Sequence, residues 1–114
     1  MTLNISINTA KPRVLTSPLS STVLYGSIVT LSCSSFGIPT PNTTWLFNNN
    51  PLPSVNRGLL ELDKVDWNKN GTYQCIFQNN AGSTASAIAT LVIYSKYQNL
   101  LNPQTNKRGL SVNS

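Results

Sequence analysis

The amino-acid sequence predicts an all-β fold, a two-layer antiparallel Greek-key sandwich whose layers are joined by one disulfide. Three observations predict it. Cys33 and Cys75 lie 42 positions apart, with Trp45 between them and Tyr73 two residues before the second cysteine, the spacing of an inter-sheet bridge packed on a buried indole. Apolar and polar residues alternate in short runs bounded by Gly, Pro and Asn, which is the period of half-buried strands. No amphipathic helix of useful length appears. A bond closing a loop of this size is worth about 4 kcal/mol in the entropic account, and a small domain needs such help. The alternative is a pair of buried thiols in a cytoplasmic sandwich.

Length and composition narrow the classes. The 114 residues suit one domain. The net charge of +5 arises from scarce acids (Glu61, Asp63, Asp66) and not from a cationic cluster. Only Lys107 and Arg108 are adjacent, and the other cations are scattered without interleaved aromatics, so a nucleic-acid surface is not expected. Charged residues make up 10% of the chain, and Ser, Thr and Asn supply the polar surface instead. An inter-sheet disulfide implies an oxidising, extracellular setting. No apolar run approaches the roughly 20 residues needed to cross a bilayer, so direct membrane insertion is not expected. The N-terminus lacks a charged start followed by an unbroken apolar run, and the chain reads as part of a longer secreted or membrane-anchored protein. Asn4, Asn42 and Asn70 each begin a glycosylation sequon, making the chain a candidate glycoprotein. About three such triplets are expected by chance in a chain this rich in Asn, Ser and Thr.

Taken in order, residues 1–11 alternate Leu3, Ile5 and Ile7 with polar residues and read as an N-terminal extension or the end of a preceding module. The stretch 2–6 is similar to 90–94. Lys11 to Pro18 is extended and proline-punctuated, suiting an edge strand. Ser21 to Tyr25 leads through Gly26 to a strand with Val29, Leu31 and Cys33 on its core face. Ser34 to Asn42, with Gly37, Pro39 and Pro41, reads as a turn-rich connection. Trp45 and Phe47 face inward on the next strand, Asn48 to Pro51 is a turn, and Leu52 to Val55 is a short extended piece. Leu60 and Leu62 face inward on a strand that Val65 closes from below. Trp67 to Gly71 turns the chain, and Trp67 is expected to pack beneath that corner. Tyr73, Cys75 and Phe77 form the inward set of the following strand. Asn79 to Gly82 is a hairpin tip, and Ser83 to Tyr94 returns as one strand with Leu91 and Ile93 inward. Residues 95–114 are polar and aperiodic, a linker or disordered tail.

These residues resemble the immunoglobulin superfamily, most closely its intermediate (I-set) branch. The matching elements are Leu31-Ser32-Cys33, Gly37-x-Pro39-x-Pro41, Trp45, Leu52-Pro53, Leu60-x-Leu62, Gly71-Thr72-Tyr73-x-Cys75, Asn79-x-x-Gly82 and Leu91-Val92-Ile93. They cover roughly residues 12–94, the expected domain. The resemblance implies Trp45, Tyr73 and Leu62 as core signature residues and a tyrosine corner made by the Tyr73 hydroxyl. The sequence departs from the family in two ways. Lys69 stands where members usually carry Asp, and few residues separate Trp45 from Cys75. A shortened or missing strand between Trp45 and Leu60 explains both, leaving Arg57 to pair with Asp66 or with nothing.

Catalysis finds little support. There is no histidine, which removes the commonest general base and metal ligand. Glu61 and Asp63 share the outer side of one strand, too weak a pair for a calcium site. No cofactor and no metal are expected. Strand parity instead exposes Leu46, Gln74, Ile76, Gln78, Ile88 and Val92 on one sheet, an apolar outer face of the kind that marks a protein interface. The expected function is a non-enzymatic module of a cell-adhesion or receptor ectodomain, binding a protein partner, self-association included, beside neighbouring domains of the same chain. The alternatives are a spacer in a tandem array and an intracellular sarcomere-like module with reduced thiols.

Overall fold

Val29 and Leu31 are buried while Thr30 and Ser32 between them are exposed, and this two-residue period lets a strand press one face on a core. In the computed structural model, which describes residues 8–95, that pattern builds ten strands: β1 (Ala10–Thr16), β2 (Ser21–Leu24), β3 (Val29–Ser32), β4 (Ser34–Ile38), β5 (Asn42–Phe47), β6 (Asn50–Leu52), β7 (Leu59–Leu62), β8 (Gly71–Asn79), β9 (Gly82–Ala85) and β10 (Ala89–Tyr94). A 3-10 turn, Trp67–Lys69, sits before β8. Residues 1–7 and 96–114, with most of the expected N-terminal extension (1–11), Asn4 and all but the first residue of the tail, lie outside the described residues, while Ala10 and Lys11 of that extension belong to β1.

One layer holds β3 and β4, consecutive around Cys33, with β7 antiparallel to β3 and β1 antiparallel to β4. The other has the order β2-β10-β8-β5-β6, with β9 also on β8. β2 runs parallel to β10; the other pairs in this layer are antiparallel. Between the layers lie Val29, Leu31, Cys33, Trp45, Leu60, Val65, Tyr73, Cys75, Phe77, Leu91 and Ile93, with Leu62 and Phe47 packed against them. Cys33 and Cys75 are bridged. Trp45 is 0% exposed, and its indole N–H donates to the Arg57 carbonyl at 2.7 Å, giving the one polar atom of a buried ring its partner. The Tyr73 hydroxyl donates to the Lys69 carbonyl at 2.8 Å, making the expected tyrosine corner, and the Tyr73 ring lies 4.9 Å from that of Phe47.

Four local expectations are corrected. Ser34–Ile38 is a strand and not a connection, because β1 pairs with it from more than a dozen residues away, and local Gly and Pro signals carry no information about such a partner. The Asn48 turn is only two residues long. Asn48 and Asn49 both take positive φ, 50° and 70°, the conformation that closes a two-residue hairpin, so Asn50 and Pro51 already belong to β6 and the strand ends at Leu52. The return strand is broken: Ile76 pairs with Ala85 but Tyr73 pairs with Ala89, so one extra residue is accommodated between them as a bulge. Ser86 fills it, its hydroxyl accepting the Cys75 N–H at 2.9 Å and donating to the Ala87 carbonyl. Finally, Trp67 does not pack beneath the corner. It is 46% exposed and lies against Tyr25, ring centroids 4.9 Å apart.

Candidate protein-binding face

The shortened segment is real and its consequence is simple. Between β6 and β7 there is no strand among the described residues, so the layer holding β7 ends at an open edge. Arg57 pairs neither with Asp66 nor with nothing: it lies 3.6 Å from Glu61, both side chains mostly in water. Asp66 instead accepts the Asn68 N–H and starts the 3-10 turn.

The other layer carries the predicted outer face. Leu46 lies opposite Gln74, Thr44 opposite Ile76 and Asn42 opposite Gln78, so these side chains occupy adjoining rows of one surface. Pro51 extends the Leu46 row at the β6 edge, and Ala85 extends the Ile76 row on β9. Ile88 follows the bulge and is 55% exposed. Continuing the Ala89–Tyr73 register by one residue brings it to the Gln74 row. Val92 is 46% exposed but opposes Thr22, and the Thr72–Thr90 pair separates it from the Leu46 row. Leu46 and Ile76 are half-buried, and the Gln74 amide is committed to the Ser86 carbonyl at 2.9 Å.

Asparagines do more structural work than their sequons indicate. Asn70 accepts the Ile93 N–H through its side-chain oxygen at 2.7 Å, tying the 3-10 turn to β10. Asn48 both donates its N–H to the Thr72 carbonyl and accepts the Thr72 N–H through Oδ1, each at 2.9 Å. A Cβ on Gly71, whose φ is +149°, would overlap that Asn48 amide, which accounts for the glycine ahead of Thr72 and Tyr73. Asn42 is exposed at the start of β5. Burial pushes the Tyr73 hydroxyl up to about 12.

The strand that sequence reasoning missed also hid a second outer surface. Phe36 and Ile38 on β4 point outward beside Arg13 and Leu15 on β1, and Leu59 is exposed on β7. Reading 34–42 as a connection left Phe36 and Ile38 without a face. In the structure Phe36 and Ile38 are exposed about buried Gly37, but Phe-Gly-Ile in the sequence shows no apolar and polar alternation from which that face could be read.

Comparison with known proteins agrees with this architecture. Residues 11–79, more than half of the chain, match the family model described as "Immunoglobulin domain". Peroxidasin of Drosophila melanogaster is 34% identical over 92 residues, covering 74% of this chain and 6% of that protein. Hemicentin-2 of Mus musculus is 43% identical over 75 residues, 60% of this chain and 2% of its own length. The chain thus spans only a small part of these relatives. Among solved structures, tandem Ig repeats of Dlar superpose with a TM-score of 0.69 at 25% identity, covering 75% of this chain and 49% of that one. Titin domain M7 superposes at 0.68 with 27% identity, covering 76% and 97%. A bridged two-layer sandwich, a tyrosine corner, a buried indole and these matches together make the chain a member of the immunoglobulin superfamily.

Proposed function

We propose that this domain is a non-enzymatic protein-binding module of an extracellular adhesion or receptor protein, engaging its partner through the outer face of β5 and β8. One observation carries this function: half-buried Leu46 and Ile76 and Ile88, 55% exposed, bring apolar side chains together on the solvent side of that sheet, and a contiguous apolar surface of this kind marks a protein interface. The disulfide supports an oxidising compartment, and the Tyrosine-protein phosphatase Lar of Drosophila melanogaster is 27% identical over 88 residues, a small part of that protein. Parallel pairing of β2 with β10, together with a short β6 at the sheet edge, supports the intermediate branch. Placement of the domain at residues 12–94 accords with strands that run from Ala10 to Tyr94. Asn42 is exposed but shares the binding face beside Gln78, where a glycan would shield it, and Asn70 is engaged with Ile93 and Trp67. Replacing Leu46 and Ile76 together by Lys is expected to abolish partner capture while circular dichroism and the unfolding midpoint stay native. Capture that survives the pair of substitutions would refute the assignment.

Similarity to a titin domain favours a second role, a spacer in a tandem array. There the outer face is inert, so the same substitutions are silent and longer chains hold a fixed angle between modules. Free thiols in the native protein would assign that array to the cell interior.

A further inference from the structure

Strand β3 has a free edge on the side away from β7. The Cys33 N–H donates to the Gly58 carbonyl at 2.8 Å, which extends the β3–β7 ladder and fixes its alternation. In an antiparallel ladder alternate residues turn their backbone groups to the same neighbour. Val29, Leu31 and Cys33 therefore bond towards β7, while Thr30 and Ser32 aim their N–H and C=O groups to the other side. There β1 pairs with β4 only from Ser34 onward, and the chain then crosses through Pro18 to β2 in the other layer. No strand of the described residues pairs with Thr30 or Ser32 on that side.

A groove of about 460 Å³ lies beside this edge, lined by Thr30, Leu31 and Ser32 of β3 and by Thr16, Leu19 and Ser21 of the crossing chain. No charged residue lines it. Leu19 is 78% exposed, the most of any large apolar residue among those described. Unpaired N–H and C=O groups at strand spacing, next to an exposed apolar side chain, are complementary to an extended peptide.

Strength and reach select which peptide. Two edge residues hold a strand weakly, so an occupant must be kept at about millimolar local concentration, which a short covalent tether supplies. The chain carries such a segment. β10 ends at Tyr94 opposite Leu24, and Ser21 of the groove pairs with Leu91 in the same ladder, so the groove lies about 10 Å from that end at strand spacing. Residues 97–106, outside the described residues, carry no charge and include Leu100 and Leu101. Leu100 is within about 20 Å of Tyr94 along an extended chain. Successive side chains of an extended segment point to opposite sides, so one of these adjacent leucines falls on Leu19 in either register.

We propose that the groove between β2 and β3 is the docking site for residues 97–102 of the same chain, which pair with Thr30 and Ser32 and cover Leu19 with one of the two leucines. Pro103 follows, and because proline cannot donate to a ladder it ends the pairing. The groove is at the β2 end of the sandwich, away from β5 and β6, so Leu46 and Ile76 take no part in it.

Amide hydrogen exchange of Thr30 and Ser32 in the full chain, followed by NMR, tests it. Both residues are exposed, and with the groove empty their N–H groups exchange fast. In the unaltered chain their exchange is expected to be about tenfold slower, the protection given by a local concentration about ten times the dissociation constant. Leu100→Lys with Leu101→Lys, or Leu19→Lys alone, should restore fast exchange at these two amides. The amides of β8 should keep their exchange rates in both variants, which separates loss of docking from loss of the fold. Equal exchange of Thr30 and Ser32 in the unaltered chain and the double variant would overturn the proposal. Protection that grows with protein concentration would overturn it too, by placing a second copy in the groove.

Discussion

Removing the bridge is the perturbation whose size can be worked most directly. Cys33 and Cys75 are 42 positions apart, and cross-linking over such a loop takes about 4 kcal/mol of conformational freedom from the unfolded chain. Both residues are buried in the interlayer core beside Trp45, so replacing each by Ala leaves a sulfur-sized gap that adds about 1 kcal/mol in total. Cys33→Ala with Cys75→Ala should therefore cost about 5 kcal/mol, comparable with the entire stability of many small domains at 5–15 kcal/mol. Urea unfolding followed by the fluorescence of Trp45 measures it. The dependence on urea should steepen as well, because an unfolded chain without the cross-link exposes more surface. Reduction of the unaltered protein should reproduce most of the loss without the gaps. A loss under about 1 kcal/mol with an unchanged slope would mean that the unfolded chain is not restrained by the bond, and the entropic account would fail.

Two further outcomes follow from the polar contacts around the same core. Because burial raises the Tyr73 hydroxyl from 10.0 to about 12, the folded chain keeps a proton that the unfolded chain releases first, so this contribution is complete below pH 10 and is lost as pH rises towards 12. Tyr73→Phe should lower stability near neutrality by about 1 kcal/mol through the missing bond to Lys69 and should flatten the alkaline fall; parallel alkaline unfolding curves for the two proteins would refute this. Asn48→Gly keeps the positive φ and the backbone bond to Thr72 but loses the side-chain bond from the Thr72 N–H to Oδ1, at about 1 kcal/mol, whereas Asn48→Ala adds about 1 kcal/mol of left-handed strain. Thermal unfolding that ranks the alanine and glycine variants equally would show that the backbone at Asn48 is not held in that region.

What could be read along the chain and what could not divides by range. The alternation in Val29-Thr30-Leu31 and in Tyr73-Gln74-Cys75 is a local periodicity, and the structure places those side chains as their parity requires. The shortness of the segment after Trp45 was likewise visible, and with it the loss of a strand. Ser34–Ile38 was misread because its partner β1 lies far back in the chain. The bulge at Ser86 was invisible for a related reason: it exists only to reconcile two registers of β8 with one returning strand. The outer face of β5 and β8 followed from parity alone, but its contiguity did not, since the Thr72–Thr90 row that isolates Val92 is a property of cross-strand register.

The sequence by itself determined a two-layer sandwich with Cys33, Trp45, Tyr73 and Cys75 in its core, because side-chain spacing dictates which groups share a core. Only the tertiary structure decided that Arg57 meets Glu61, that Asn48 and Asn70 hold the ends of β8 and β10, and that β7 ends its layer with Leu59 and Glu61 turned to water. Each of these depends on which strand lies beside which, and that choice is made by burial summed over the whole chain, not by any local run of residues.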